Sequence, residues 1–209
     1  MATITETLLI WGAGGHGLMV ADVAQAAGWR VSGFADRDPR LRGTEVGGLR
    51  VLCSDSELID GATSVAFGIG DNAARLRSVD AVADERCPSL VHPSAVVSGS
   101  AVLGHGTAVL PLAAVNAGAR IARGCIVNTS AVIEHECRLG AGVHVSPGAV
   151  LAGRVTVGDR SWIGAGAVVI QGIRIGSDCI VGAGAVVIRD VADGETVVGN
   201  PARRIHPPG

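Results

Sequence analysis

Residues 127–151 read VNTSAVIEHECRLGAGVHVSPGAVL, with an aliphatic residue at every sixth position. This spacing continues without a break from Val91 to Val187, through seventeen positions that hold only Val, Ile or Leu. Four residues after most of these anchors the chain has Ala or Cys, and glycine recurs one or three places after them. Such a pattern is typical of a β-helix, in which each coil buries its apolar side chains against the coils above and below. The repeat therefore predicts a parallel solenoid over about half of the chain.

The composition of the chain agrees with such a core. Of its 209 residues, 48% are hydrophobic, yet these include only two Phe, three Trp and no Tyr, as expected for stacked layers of Val, Ile and Ala. A net charge of −2 and a pI near 6.3 argue against nucleic acid or an acidic membrane as the main partner. The five cysteines form no C-x-x-C pair, and three of them occupy the small inward position of the repeat. We therefore expect buried thiols and no metal site.

The sequence also lacks the features of membrane and secreted proteins. No apolar stretch reaches the roughly 18 residues of a membrane helix. Residues Met1–Glu6 carry no basic segment ahead of an apolar run, so we expect no signal peptide. These features favour a cytoplasmic protein with reduced thiols.

The residues before Val91 follow a different pattern, in which apolar strands alternate with helices. This alternation predicts a small parallel α/β domain, half the size of a full dinucleotide-binding domain. We assign residues 1–88 to it and residues 89–209 to the solenoid and C-terminal tail, with a hinge at 87–93. The predicted elements are strands at Thr7–Trp11, Val31–Ala35 and Ser64–Ile69, and helices at about Leu18–Ala27, 54–59 and Ala73–Glu85.

A glycine-rich turn lies between the first predicted strand and the first helix. Gly12, Gly14 and Gly17 match the pattern G-x-G-x-x-G, in which backbone N–H groups at a helix N-terminus bind phosphate. Asp36 follows about twenty residues later, where an acidic side chain can hold a ribose hydroxyl. The turn favours a phosphate-bearing nucleotide over NAD. A dinucleotide-binding domain has a second half after this point, whereas this chain continues directly into the solenoid. A tight strand–helix turn without a ligand is the remaining alternative.

The densest polar chemistry in the repeat is the triplet Glu134, His135 and Glu136. A carboxylate beside a histidine holds the imidazole in one tautomer and favours proton abstraction, so His135 is a candidate general base. A second histidine, His144, follows nine residues later, which is half of an 18-residue coil. The alternative is that the triplet is only a solvated corner of the solenoid.

The chain resembles the left-handed β-helix (hexapeptide-repeat) acyltransferases, and among them the N-acetyltransferases of nucleotide-activated amino sugars and the related sialic-acid O-acetyltransferases. The resemblance covers nearly the whole chain. It is carried by GAGGHG at residues 12–17, GIGDN at 68–72, NTSAVIEHEC at 128–137, HVSPG at 144–148 and VGNPARR at 198–204.

The resemblance implies a left-handed parallel β-helix after the α/β domain, a homotrimer, and acetyl-CoA bound in the groove between neighbouring solenoids. It implies no metal. The roles that it implies are His135 as the general base and Glu136 as its orienting partner; His144, Gly153, Ala165 and Ala183 along the coenzyme; Gly14, Gly15, His16, Asp36 and Arg37 at the nucleotide; Asn128 at the sugar; and Arg203 and Arg204 near the coenzyme phosphates.

The resemblance predicts direct acetyl transfer from acetyl-CoA to the amino group of a nucleotide-linked sugar, of the 4-amino-4-deoxy type. An O-acetyltransferase acting on a sialic acid would use the same groove and the same base with a hydroxyl nucleophile. Two alternatives belong to other classes: a zinc carbonic anhydrase built on the same solenoid, and a scaffold that senses nucleotides without catalysis. The sequence does not discriminate among UDP, GDP and CMP as the nucleotide.

Overall fold

The computed structural model describes residues 7–53 and 64–205 and contains an α/β domain followed by a parallel β-solenoid. The sheet of the α/β domain has the order β3-β4-β2-β1-β5; its strands pair in parallel except for the β3–β4 hairpin. The domain consists of β1 (Thr7–Trp11), α1 (Gly15–Ala26), β2 (Arg30–Ala35), a 3-10 turn (Pro39–Leu41), β3 (Glu45–Val46), β4 (Leu49–Cys53), β5 (Ser64–Phe67), α2 (Asn72–Asp80) and a second 3-10 turn (Asp84–Arg86).

The helices of this domain begin and end where local capping allows. Helix α1 begins at Gly15, three residues earlier than predicted, because its N-cap is Gly14, which has no side chain to mark the start. Helix α2 begins after Asp71, whose carboxylate accepts a hydrogen bond from the N–H of Ala74 at 2.7 Å, and it ends at Asp80 instead of Glu85. The predicted helix at 54–59 lies outside the residues that the structure describes.

The solenoid has three flat faces, each formed by one strand from every coil. The second face contains β7 (Val96–Val97), β10 (Ala114–Val115), β13 (Val132–Ile133), β16 (Val150–Leu151), β19 (Val168–Val169) and β22 (Val186–Val187). The third face contains β8 (Val102–Leu103), β11 (Arg120–Ile121), β14 (Arg138–Leu139), β17 (Thr156–Val157) and β20 (Arg174–Ile175). The first face contains β6 (Leu90–Val91), β9 (Ala108–Val109), β12 (Ile126–Val127), β15 (His144–Val145), β18 (Trp162–Ile163), β21 (Ile180–Val181), β23 (Thr196–Val198) and β24 (Arg203–Ile205), the last pairing antiparallel with β23.

From β6 to β22, adjacent strands on each face pair in parallel with a register of eighteen residues, so that His144 lies between Ile126 and Trp162; β21 and β23 pair with a register of sixteen. The predicted anchors form the core: those from Val109 to Val187 are buried, and the first three pack against the same cluster. Cys125, Cys137 and Cys179 are buried there as free thiols. The expected fold class, a small parallel α/β domain followed by a parallel β-helix, is confirmed.

We call the turn from the first to the second face the first corner, that from the second to the third face the second corner, and that from the third back to the first the third corner. Helix α2 docks on the third corner. There Gly106, Gly124 and Gly142 adopt positive φ angles, and a methyl group at any of them would lie within 3.2–3.3 Å of a residue of α2. Glycine at these positions allows the positive φ angle of the turn and leaves room for α2 to pack closely against it.

One apolar cluster extends across both domains. Leu90, Ala108 and Ile126 of the first face pack into the same buried cluster as Val20 and Val23 of α1. The division at residue 88 stays a prediction, and the first solenoid strand begins at Leu90. Within residues 7–53 and 64–205, no helix is long and apolar enough to cross a membrane.

Candidate active site

A ridge of three stacked side chains runs along the first face. His144, Trp162 and Ile180 occupy equivalent outward positions on successive coils. The rings of His144 and Trp162 stack with centroids 6.1 Å apart and planes 12° apart. Trp162 Nε1 donates a hydrogen bond to Ser146 Oγ at 2.6 Å, which fixes the indole although 47% of the residue is exposed. The ridge is therefore ordered by packing and by a polar anchor.

A pocket lies on each side of this ridge. One, of about 440 Å³, lies between the ridge and the segment 70–73 of the α/β domain. The other, of about 380 Å³, follows the first corner and is lined by Ala165 and Ala183, as well as by Pro147 and glycines of the same turns. Both alanines are exposed. Two residues predicted to accompany the coenzyme therefore line one apolar groove that ends at His144.

Asn128 fixes the tautomer of His144. The Oδ1 atom of Asn128 accepts a hydrogen bond from the N–H of Thr129 at 2.8 Å, which leaves its amide nitrogen to donate to His144 Nε2 at 3.0 Å. A neutral His144 consequently carries its proton on Nδ1. Burial, with smaller contributions from the charges of Arg75 and His16, lowers the pKa of His144 to about 3. His144 is thus a neutral hydrogen-bond donor at physiological pH.

His16 lies beside His144, with ring centroids 6.3 Å apart. It belongs to the first turn of α1, where the sequence predicted a nucleotide contact. Burial, and then the charge of Arg75, lower its pKa to about 4. Its Nε2 atom is buried and has no hydrogen-bond partner within the described part of the chain. A buried polar atom of this kind is costly unless a ligand or water binds it.

A third pocket, of about 260 Å³, lies at the carboxyl edge of the α/β sheet. It is lined by Gly12, Asp36, Arg37 and Ile69, at the position where nucleotides bind in open parallel sheets. The carboxylate of Asp36 accepts hydrogen bonds from the N–H groups of Ala13 at 2.8 Å and of Asp38 at 2.9 Å, so it also holds the glycine-rich turn.

The glycines of that turn have different environments. Added methyl groups at Gly14 and Gly15 would meet nothing within 4 Å, and both residues are exposed. Gly17, in contrast, lies directly against the carbonyl oxygen of Gly12. The turn therefore combines two glycines required by packing with two that leave open space for a ligand.

His135 lies at the second corner, where its Nδ1 is 3.1 Å from Glu136 Oε2. The side chains of His135 and Glu136 are 49% and 63% exposed, and Arg154 Nη1 lies 3.9 Å from the same carboxylate oxygen. Glu136 has a φ angle of +60°, in a column of the solenoid where Gly118 and Gly172 have similar angles. The imidazole lies over Gly153, one coil further on, where a side chain would overlap it.

The structure thus places the predicted residues in three locations on one chain. Asn128, His144 and His16 are brought together, and Ala165 and Ala183 are next to them. Asp36 and Arg37 lie in the pocket of the α/β domain, and His135, Glu136 and Gly153 lie at the second corner, apart from the residues that line the two pockets beside His144. Arg204 pairs with Glu195 at 3.0 Å. Among residues 7–53 and 64–205, no three His, Cys, Asp or Glu side chains are grouped to hold a metal ion.

Two family profiles match the chain. The profile described as the PglD N-terminal domain matches residues 7–82, and that of the bacterial transferase hexapeptide, with six repeats, matches residues 154–189. No protein among the curated sequences matches.

Solved structures match over nearly the full length. The acetyltransferase domain of PglB from Neisseria gonorrhoeae FA1090, in complex with acetyl coenzyme A, is 39% identical over 96% of this chain and 99% of that chain, with a TM-score of 0.89. PerB from Caulobacter crescentus, in complex with CoA and GDP-perosamine, is 39% identical over 99% and 100%, with a TM-score of 0.90. WeeI from Acinetobacter baumannii AYE is 29% identical over 96% and 100%, with a TM-score of 0.84.

The chain belongs to the hexapeptide-repeat acetyltransferases. The sequence did not single out several residues that shape the site of this acetyltransferase. Trp162 and Ile180 stand at ordinary outward positions of the repeat, and only the 18-residue register that puts them in line with His144 reveals them. Arg75 lies on the short, mostly polar helix α2, yet it is only 1% exposed and hydrogen-bonds to both domains. Aligning the repeat in steps of 18 residues could have identified Trp162 and Ile180 from the sequence, whereas no local sequence feature distinguishes Arg75.

Proposed function

We propose that this acetyltransferase transfers the acetyl group of acetyl-CoA to the amino group of a nucleotide-linked amino sugar. The observation that carries the proposal is the groove of Ala165 and Ala183, which ends at a neutral His144 where a second pocket begins, beside the segment 70–73. The relatives solved with acetyl coenzyme A, and with CoA and GDP-perosamine, support the same pair of substrates. These relatives align over nearly all of both chains, so the comparison includes both domains.

The groove of Ala165 and Ala183 and the pocket beside the segment 70–73 meet at His144, and the segment 69–74 also borders the nucleotide-type pocket. The pantetheine arm would lie in the groove along the first corner, where small side chains leave the backbone accessible. The nucleotide would occupy the pocket of Asp36 and Arg37, with its phosphates near the open Gly14 and Gly15 at the N-terminus of α1. The sugar would then reach His16 and Asn128. The unpartnered Nε2 of His16 would bind a polar group of the sugar.

The chemistry is a direct acyl transfer. The amine attacks the thioester carbonyl, a C–N bond forms, and the C–S bond breaks as the tetrahedral intermediate collapses. The Nδ1–H of His144 would donate to the oxyanion, which is the preorganised contact that lowers such barriers most. His135 would accept the proton of the attacking amine and return it to the departing thiolate, while Glu136 orients its ring through Nδ1.

His135 can reach this centre only from a neighbouring copy, because it lies at the second corner of its own chain. The second face supports a homotrimer: its outward residues are only valine and alanine, and Val96 and Val168 are 68% and 37% exposed. Apolar surface of this extent in a row favours burial against another copy. The outward residues of this face are Val96, Ala114, Val132, Val150, Val168 and Val186.

Packing second faces around a threefold axis would assemble the site. The second face lies between the first corner, which carries the Ala165 groove, and the second corner, which carries His135. In a closed ring of three copies, the second corner of each chain therefore approaches the first corner of the next. Each of three equivalent sites would take its base from one copy and its groove from another.

An assay of thiol release from acetyl-CoA tests the proposal directly. The purified protein would be incubated with a panel of UDP-, GDP- and CMP-linked amino sugars, the corresponding hydroxy sugars and free sialic acid. We expect release of CoA with at least one nucleotide amino sugar, and a product that carries an amide. Release only with hydroxyl acceptors would make the protein an O-acetyltransferase. No release with any acceptor would reject transferase activity on these substrates.

A further inference from the structure

Arg75 is the largest side chain that is almost fully buried, with 1% of the residue exposed. It lies on α2, between the α/β domain and the third corner of the solenoid, and no carboxylate pairs with it within the described ranges. Burial lowers its pKa, but only to about 10, so the guanidinium remains charged at neutral pH. A buried charge without a counter-ion is retained only where hydrogen bonds replace its hydration.

Five hydrogen bonds supply that replacement, and they join two parts of the molecule. Towards the solenoid, Nε donates to the carbonyl oxygen of Gly124 at 2.7 Å and Nη2 to that of Gly142 at 2.8 Å. Towards the α/β domain, Nη1 donates to the carbonyl oxygens of Ile69 at 3.0 Å and Gly70 at 3.1 Å, and Nη2 donates to Asn72 Oδ1 at 2.8 Å. The planar guanidinium is the side-chain group that can serve so many acceptors at once.

The segment that Arg75 holds is the wall shared by two pockets. Ile69 and Ala74 line the nucleotide-type pocket. Gly70, Asp71, Asn72 and Ala73 line the pocket beside His144 and Trp162. Asn72 also donates to the carbonyl oxygens of Arg160 and Ser161, so the segment is fixed to the solenoid at a second point. No residue of this segment lines the apolar groove of Ala165 and Ala183.

We propose that Arg75 is a positioning residue, which sets the segment 69–74 against the solenoid and so aligns the nucleotide pocket with the acetyl-transfer centre at His144. It does not contact the substrates; it acts through Ile69, Gly70 and Asn72. The inference rests on the proposed function, because it takes the two pockets to hold two ends of one nucleotide-linked sugar. Its consequence is selective: binding of the sugar nucleotide depends on Arg75, and binding of acetyl-CoA does not.

The test uses Arg75→Lys, Arg75→Gln and a matched control, Arg123→Gln. Arg123 also joins α2 to the solenoid, through Asp80 at 2.6 Å, but this ion pair is exposed and does not touch the segment 69–74. We expect Arg75→Lys to raise KM for the sugar nucleotide by at least about tenfold, as misplacement of a bound substrate does. KM for acetyl-CoA should stay within about twofold of the wild-type value. Arg75→Gln should have a larger effect of the same kind, and Arg123→Gln neither effect.

Amide hydrogen exchange gives a readout that does not depend on activity. In Arg75→Lys, exchange in residues 69–74 should accelerate by at least about tenfold, without a similar change in the coils that carry Ala165 and Ala183. If the wild-type protein acetylates none of the acceptors, the proposed function fails, and the exchange experiment still decides whether Arg75 holds the segment. Unchanged exchange, equal rises of both KM values, or the same response in Arg123→Gln would overturn the role of Arg75. If Arg75→Gln does not fold, Arg75→Lys alone decides.

Discussion

The imidazole of His135 lies against the Cα atom of Gly153, which follows it by one full coil. The family resemblance predicted that Gly153 lies along the coenzyme, and that role remains a prediction. The structure adds that the missing side chain makes room for the ring of His135. Gly153 does not have a positive φ angle, and the three atoms nearest to a methyl group added there all belong to the ring of His135.

We predict that Gly153→Ala displaces the imidazole of His135 and lowers kcat by at least about tenfold with little loss of stability. The matched control is Gly99→Ala. Gly99 occupies the same turn position three coils earlier, and a methyl group there would meet nothing within 4 Å. Equal activity of Gly153→Ala and the wild-type enzyme in steady-state assays would show that the position of the ring is not critical.

Removal of the proposed base itself is a second test. His135→Ala should lower turnover by at least about 10²-fold, which is the usual contribution of a general base. The oligomer should remain intact, because the change leaves the apolar second face unaltered and, among the described residues, the ring hydrogen-bonds with Glu136 alone. Steady-state assays with size-exclusion chromatography check both points, and near-normal turnover would remove His135 from the mechanism.

The solenoid was predictable from the sequence because its period is set by packing, and the anchors from Val91 to Val187 all point inward as expected. The elements of the α/β domain were less predictable from the sequence. The β3–β4 hairpin was missed, although Gly47 and Gly48 between its strands both have the positive φ angles of a two-residue hairpin turn. The start of α1 was misplaced because Gly14 offers no capping side chain.

Part of the candidate site was predictable from the sequence, and part is visible only in the structure. His135 and His144 were predicted from the sequence because one histidine lies between two glutamates and the other follows half a coil later, whereas Asn128 was predicted from the family resemblance. Arg75 is recognisable only from the four carbonyl oxygens and the side-chain amide around it, which come from residues up to 67 positions away. Every residue has a backbone carbonyl group, so the residue type of the acceptor does not reveal such a hydrogen bond.

Two half-buried histidines, His16 and His144, make stability depend on pH. The pKa values of His16 and His144 are about 4 and about 3 in the folded protein, against about 6.5 for an exposed histidine. Between these values the unfolded chain binds protons that the folded chain excludes, so stability is complete above pH 6.5 and falls as the pH decreases towards 4. From pH 7 to pH 5 we expect each histidine to reduce the free energy of unfolding by about 2 kcal/mol.

Urea denaturation at pH 7 and pH 5 measures this loss. The double variant His16→Gln, His144→Gln should lose most of the pH dependence, while His92→Gln, at an exposed turn, should retain it. A wild-type protein equally stable at both pH values would contradict the assignment of neutral, half-buried imidazoles.

The tautomer of His144 can be reversed through its partner. In Asn128→Asp the introduced carboxylate accepts a hydrogen bond where the amide donated one, which moves the proton of His144 to Nε2 or protonates the ring and raises its pKa. In the neutral form the Nδ1–H donor is then lost, and kcat should fall by at least about tenfold. Nitrogen-15 NMR of the histidine rings identifies the tautomer. A neutral ring protonated on Nε2 alone, in an enzyme with normal kcat, would exclude His144 as the oxyanion donor.

A mixture of two inactive variants tests whether the site is shared between copies. His135→Ala removes the base but leaves the groove, and Ala165→Trp fills the groove but leaves the base. If each site takes His135 from one copy and the groove from the next, a random equal mixture has an intact base at half of its sites. Half of those sites face an intact groove, so about a quarter of wild-type activity should return on co-expression. A site built within one chain would return none, because every chain carries one of the two defects.

As a second arm, wild-type chains mixed equally with the double variant should retain about a quarter of the activity if the site is shared, and about half if it is not.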